Sequence, residues 1–166
     1  MKAVWIKNGR EKSVLRKHPW IFSGAVAKVS GNPENGDLVE ILNSKDSRLG
    51  IGFFSGKSQI TVRMLCFDNE NLEKDYLQKR IRTAVELRTG LSEYNTEGGV
   101  RLVFSESDNL PGLIADKYAN LVVLQFLTAG MDLRREEIAG VFSEIFPDAV
   151  IYERSDSDSR GKEGLK

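Results

Sequence analysis

RLVFSESDNLPGLIADKYANLVVLQFL, residues 101–127, is the most densely patterned stretch of the chain, and the remainder can be placed around it. Arg101 to Ser107 alternates apolar and polar residues, Asp108-Asn109-Leu110-Pro111-Gly112 carries turn chemistry, and Leu113 to Tyr118 is a second extended run. Ala119-Asn120 breaks that run before Leu121 to Leu127, which is apolar on both faces and is expected to be the most buried strand. Three strands in succession predict a β-meander at the core of a small α+β domain.

On the C-terminal side, Ile138, Val141, Phe142 and Ile145 recur at helical spacing behind Asp132, the expected N-cap; Pro147 stops the helix, and Ala149 to Glu153 reads as one more strand. Ser155 to Lys166 is polar and lacks a period, so it reads as a linker. On the N-terminal side, Leu77, Ile81, Ala84 and Val85 form the stripe of an amphipathic helix between about Leu72 and Gly90. Neither helix can bury its stripe except against a sheet, which makes this half an α+β layer.

The first 66 residues have a different rhythm. Short strands are predicted at Lys2 to Lys7, Ile21 to Val29, Asp37 to Leu42, Leu49 to Ser55 and Gln59 to Cys66, with one or two helical turns at Glu11 to Lys17 stopped by His18-Pro19. Short strands with frequent turn signals indicate a small barrel or pseudo-barrel, and Gly50 and Gly52 mark the bulge or sharp coil that barrel closure requires.

Composition narrows the function classes. With 166 residues and 40% hydrophobic content the chain can bury one core or two small ones. No apolar run approaches the roughly 20 residues that cross a bilayer, and the apolar part of the N-terminus is too short for a signal peptide, so the expectation is a cytoplasmic protein without a membrane partner. A single cysteine, Cys66, and a single histidine, His18, leave no disulfide framework and no expected metal site. The net charge of zero conceals an asymmetry: residues 1–66 hold 11 Lys and Arg against 5 Asp and Glu, a net of +6, and residues 67–166 hold 13 against 19, a net of −6. A basic first half is what a phosphate-facing surface needs.

Catalytic signals are weak. Gly50-x-Gly52 lacks a third glycine and a following helix, no glycine-rich loop joins a strand to a helix, and no nucleophile triad can be assembled. Cys66 reads as a buried structural thiol, and Glu106, Asp108 and Asp116, close in sequence, as turn-capping and surface groups. Binding is better supported: Arg10, Lys12, Arg16 and Lys17 adjoin His18 and Trp20, while Arg48 and Lys57 flank the strand from Leu49. Arg and Lys hold phosphates and aromatic planes stack on exposed bases, the usual arrangement for RNA loops. The competing reading places Trp20 in the barrel core and the cations on a solvated face.

Taken together, these residues resemble an RlmI-type 23S, or large-subunit, rRNA (cytosine-C5) methyltransferase. The resemblance is carried by His18-Pro19-Trp20-Ile21-Phe22-Ser23-Gly24-Ala25-Val26, Gly36-Asp37-Leu38-Val39, Leu49-Gly50-Ile51-Gly52-Phe53 and Ile60-Thr61-Val62-Arg63. It continues through Glu106 to Tyr118, then Tyr152-Glu153-Arg154-Ser155-Asp156, Arg160 and Glu163-Gly164-Leu165. It implies an α+β fold: a PUA-like RNA-binding pseudo-barrel over residues 1–68, a central domain of strand-strand-helix-strand-strand type over 69–154, and a linker, 155–166, towards a Rossmann-like methyltransferase domain absent from the chain. The family's cofactor glycines and catalytic cysteine lie in that last domain, and Cys66 does not match the catalytic position. The resemblance therefore implies a fragment that binds and positions large-subunit rRNA without catalysing, with no cofactor of its own and S-adenosylmethionine expected for the full-length parent. Expected RNA contacts are Arg10, Arg16, Lys17, His18, Trp20 and Arg48, followed by Arg154 and Asp156, whose loop leads towards the catalytic domain. Two alternatives stand beside this: a free-standing RNA-binding module, and a structural unit that forms a homodimer through a sheet edge.

Overall fold

The computed structural model describes residues 2–91 and 98–166, and the chain divides into two units, Met1–Glu73 with Gly161–Lys166, and Lys74–Arg160. In the first unit β1 (Ala3–Ile6), the helical turn α1 (Lys12–Leu15), β2 (Trp20–Phe22), β3 (Val26–Ser30), β4 (Leu38–Leu42), β5 (Arg48–Phe54) and β6 (Ile60–Phe67) follow in order. They build one six-stranded sheet, ordered β2-β6-β5-β4-β1-β3, in which β1 and β4 run parallel and the other neighbours antiparallel. The strand expected from Ile21 to Val29 is in fact two, parted by a 3-10 turn at Ser23–Ala25. β2 and β3 occupy opposite edges of the sheet although only those three residues join them. Phe22 and Val26, four residue steps apart, can be separated by at most ~14 Å, so the sheet must roll until its edges approach. Val4, Ile6, Val14, Ile21, Ile41 and Val62 fill the inside of the roll.

Gly50 and Gly52 set the spacing between β5 and β6. A Cβ on Gly50, whose φ is +147°, would stand 2.2 Å from the Cys66 carbonyl oxygen, and one on Gly52 would stand 2.5 Å from that of Arg63. The register between β5 and β6 shifts at Ile51/Gly52, the irregularity expected from these glycines.

In the second unit α2 (Tyr76–Glu86) precedes β7 (Gly99–Phe104), β8 (Leu113–Tyr118) and β9 (Leu121–Phe126), followed by α3 (Ala129–Asp132), α4 (Arg135–Ile145) and β10 (Val150–Glu153). The sheet order is β10-β9-β8-β7, with β10 parallel to β9 and the other pairs antiparallel. α2 packs on β7 and α4 on β9 and β10. Leu77, Ile81, Leu102, Leu124, Phe126, Ile138 and Phe142 form the resulting core.

This arrangement corrects the expected fold class. The second unit is not of strand-strand-helix-strand-strand type: α2 comes first, three antiparallel strands follow, and a helical crossover then delivers β10 parallel to β9, as a parallel pair requires. Both units are built on mixed sheets, and no ladder joins β2 to β3 to close the first into a barrel. β9 departs from expectation too. Val122, Leu124 and Phe126 are buried, but Leu121, Val123 and Gln125 on its other face are only partly covered.

Local differences have local causes. Asp132 ends α3 rather than capping a helix, and its carboxylate accepts hydrogen bonds from Arg135 and from Arg160 Nη1 (2.9 Å for the latter). The polar run from Ser155 holds a helical turn, α5 (Ser159–Lys162), and two buried charges, Arg160 and Glu163. Each is buried because it has a partner, which polarity alone does not reveal.

Two predictions follow from this packing. Gly52→Ala should force β5 and β6 apart and cost about 3 kcal/mol in urea unfolding, whereas Gly90→Ala, with open space around it, should cost far less. Burial pushes the Tyr76 phenol from 10.0 up to about 12. A raised pKa stabilises the folded, protonated form fully below the unfolded value and loses that contribution as pH rises through the folded one. Unfolding free energy should therefore fall between pH 10 and about 12, and Tyr76→Phe should flatten that fall.

Candidate nucleic-acid interface

The segment between β1 and β2 is folded by its own backbone. Asn8-Gly9 turns the chain with Gly9 at φ +78°, and the Arg10 amide donates to the Lys7 carbonyl at 2.9 Å. Val14 anchors α1 in the core, and Lys17, at φ +62°, ends the turn as its amide reaches the Val14 carbonyl (2.8 Å). The His18 amide donates to Ser13 O at 2.9 Å, and the Trp20 amide donates to His18 Nδ1 at 3.1 Å. His18-Pro19-Trp20 is thereby held as a tight corner that launches β2.

Period-two alternation then sorts the side chains of β2. Ile21 points into the core, and Trp20 and Phe22 lie on the outer face, Phe22 being 48% exposed. The His18, Trp20 and Phe22 rings meet edge to face, with centroids 5.9 Å and 6.3 Å apart. Trp20 pairs across the ladder with Arg63, whose guanidinium sits 5.8 Å from the Trp20 ring centre. Arg63 Nη2 in turn donates to Glu163 Oε1 at 2.9 Å, and the Glu163 side chain is only 3% exposed.

The expected phosphate contacts divide into two groups. Arg10 and Arg16 are exposed, and neither side chain has an ion pair or hydrogen bond among the described residues, which is also true of Lys12. Lys17 pairs with Asp68 and lies 5.1 Å from the Phe67 ring centre. Arg48 is committed to its own unit: Nη1 donates to Asn71 Oδ1 at 3.0 Å and Nη2 to the Glu70 carbonyl at 2.9 Å. Arg154 and Asp156 lie in the second unit as an exposed ion pair at 3.1 Å. Sequence reading passed over Phe22, Arg63 and Glu163 as site residues. Alternation from Trp20 could have found Phe22, but Glu163 lies 100 positions from Arg63 and no local signal links them.

Groups considered for catalysis have structural employment. Arg88 donates to both carboxylate oxygens of Asp108 (2.8 and 2.9 Å), Arg101 does the same to Asp116 (2.8 and 3.0 Å), and Ser105 bonds Glu106. Cys66 is buried, with Sγ 3.4 Å from the Glu70 carbonyl. At the strand-to-helix turn after β9, Arg160 donates to the Phe126 carbonyl, and Thr128 Oγ1 donates to the Pro111 carbonyl at 2.9 Å. Among the described residues no three His, Cys, Asp or Glu side chains cluster as metal ligands, and no helix is long and apolar enough to cross a membrane.

Comparison with known proteins adds the following. Residues 4–67 match a family model described as a PUA-like domain. Over 165 residues, 99% of the chain, it is 44% identical to "Ribosomal RNA large subunit methyltransferase I" of Aeromonas hydrophila, of which it covers 42%. It is 46% identical over 163 residues to the protein of the same name from Shewanella amazonensis, covering 41% of it. The chain thus spans about two-fifths of the length of these relatives. Its fold follows "a putative sam-dependent methyltransferase from Streptococcus mutans" over 93% of this chain and 41% of that one, at a TM-score of 0.76 and 18% identity. A second structure described in similar terms, complexed with SAH, aligns at a TM-score of 0.77. These neighbours complete the correction of the fold class: over the aligned span the chain follows their fold, built on two mixed sheets, in place of the closed pseudo-barrel and the strand-strand-helix-strand-strand domain that the resemblance implied.

The Glu163 contact yields a direct test. Glu163→Ala removes a buried carboxylate from a guanidinium that is itself only 13% exposed, and should cost about 3 kcal/mol of unfolding free energy. Glu163→Gln, which keeps an acceptor, should cost less, and equal stability of all three proteins in urea titrations would show the pair to be incidental.

Proposed function

We propose that this chain, a relative of the large-subunit rRNA methyltransferases over nearly all its length, is the portion of such an enzyme that engages and positions RNA. The observation that carries the reading is the outer edge of the first unit, where a run of His18, Trp20 and Phe22 rings accompanies the uncommitted cations Arg10, Lys12 and Arg16. Cations at this edge draw in the phosphate backbone, and Phe22, half exposed beside Trp20, offers a ring on which an unpaired base can stack. The PUA-like match over residues 4–67 supports the same assignment. The whole enzyme would be cytoplasmic and S-adenosylmethionine-dependent, modifying C5 of cytosine after a cysteine thiolate outside these residues adds to C6. This chain's contribution is geometric: it converts a bimolecular encounter into a held orientation of the target loop. Lys17 can join the phosphate contacts by exchanging Asp68 for a phosphate, since that pair is exposed and weakly held. Arg48 acts instead by tying the start of β5 to the Glu70-Asn71 segment.

RNA affinity of the chain should fall with salt, with a log-log slope near −3 for four phosphate contacts on single-stranded RNA. Arg10→Ala and Arg16→Ala should each reduce the steepness by about 0.7 without changing unfolding free energy. Arg48→Ala should lower stability and leave the slope alone, and a flat salt response of the wild-type chain would overturn the RNA reading.

A further inference from the structure

The second unit carries a sheet face for which the RNA edge of the first unit has no use. Helices cover one side of β7 to β10, and Glu153 on that side lies 3.7 Å from Arg135 of α4. The cross-strand register places Arg101, Phe104, Tyr118, Val123, Tyr152 and Arg154 on the other side. Phe104, Tyr118 and Tyr152 are 50%, 47% and 55% exposed. β9 carries apolar residues on both faces, a composition suited to a strand covered twice, yet Leu121, Val123 and Gln125 on the side away from the helices are only partly covered.

The chemistry of the face selects its occupant. Tyr118 lies across Gly99, where a Cβ would come within 2.4 Å of the ring, so this tyrosine is laid down against the sheet with its outer surface available. Arg101 sits 5.2 Å from the Phe104 ring centre and gives Nε and Nη2 to Asp116, keeping Nη1 for another acceptor. Arg154 is likewise oriented through Nε by Asp156. Both guanidiniums are therefore pre-aimed cations with donors to spare, suited to phosphate. Phe104 and Tyr118 stand at opposite ends of the β7/β8 pair, ~13 Å apart at strand rise, so each ring can receive a base of its own. A dry protein partner or second copy would have to strip water from the Arg101–Asp116 pair at the middle of the face, whereas a stacked base leaves that pair at its wet edge.

We propose that this open face is a second RNA platform, on which Phe104, Tyr118 and Tyr152 stack unpaired bases while Arg101 and Arg154 hold flanking phosphates. The inference rests on the RNA reading above, and its test separates the two. Binding of a short, labelled single-stranded RNA to the full chain is followed by fluorescence anisotropy, with the matched duplex alongside. Single-stranded RNA should bind more tightly than the duplex, Phe104→Ala and Tyr152→Ala should each weaken it by about fivefold or more, and Tyr152→Phe should retain affinity. If both alanine variants bind as wild type while Arg16→Ala weakens, the platform is refuted and the first edge stands. Failure of the wild-type chain to bind RNA at all removes both readings. Sedimentation of wild type as a dimer that Tyr152→Ala dissociates would assign the face to a second copy and overturn the proposal.

Discussion

The first unit depends on how closely β6 can approach β5. With no Cβ at Gly50 and Gly52, the Cys66 and Arg63 carbonyls occupy space that any other side chain would claim. On the Arg63 side of the register slip at Ile51/Gly52 the ladder is regular, and alternation along β6 turns Val62 and Met64 to the core and Arg63 outward. β2 reads its own register from β6, which puts Trp20 opposite Arg63 and Ile21 opposite Val62. Two glycines in one strand thus decide what an aromatic in another displays.

Placing Arg63 outward creates a debt of solvation, because Trp20 and the neighbouring chain shield its guanidinium. Glu163 settles it from 100 positions away, at 2.9 Å. The second sheet solves a similar problem differently. Arg101 also lies beside an aromatic ring and also takes a carboxylate, Asp116, but it remains 47% exposed and its partner is the adjacent strand's residue. In the first pair burial makes the carboxylate a structural necessity; in the second, exposure makes it an aiming device.

How much of this could be read from the chain depended on the range of the interaction. Strands and helices were legible to within a few residues, since period-two and period-3.6 patterns are local: Leu113–Tyr118 is β8 as read, and Leu77, Ile81, Ala84 and Val85 are the buried stripe of α2. The break at Ser23–Ala25 was not, because the residues on both sides have the same extended pattern and only the sheet assigns them to opposite edges. The parallel placement of β10 was hidden for the same reason, and with it the fold class. For the candidate site, the cations and rings from Arg10 to Trp20 were visible as one run, whereas the commitment of Arg48 to Glu70 and Asn71 was not. Polarity misled in Ser155 to Lys166, where Arg160 and Glu163 are buried by virtue of partners found only in the fold.

Separating committed arginines from free ones matters more to function than counting cations. Arg48, Arg63 and Arg88 each spend their donors on carbonyls, amides or carboxylates within the chain, and drawing one to a phosphate would leave those groups unpaired in partly buried surroundings. Arg10 and Arg16 incur no such loss, since water is all they give up. The net charge of +6 in residues 1–66 therefore overstates the phosphate-facing charge, and the usable part is concentrated around α1, next to the His18–Trp20 corner. On the proposed reading, an RNA strand drawn to that corner would meet rings whose mutual edge-to-face packing and local backbone bonds have already fixed their orientation, so little further ordering would be needed to stack a base on Phe22.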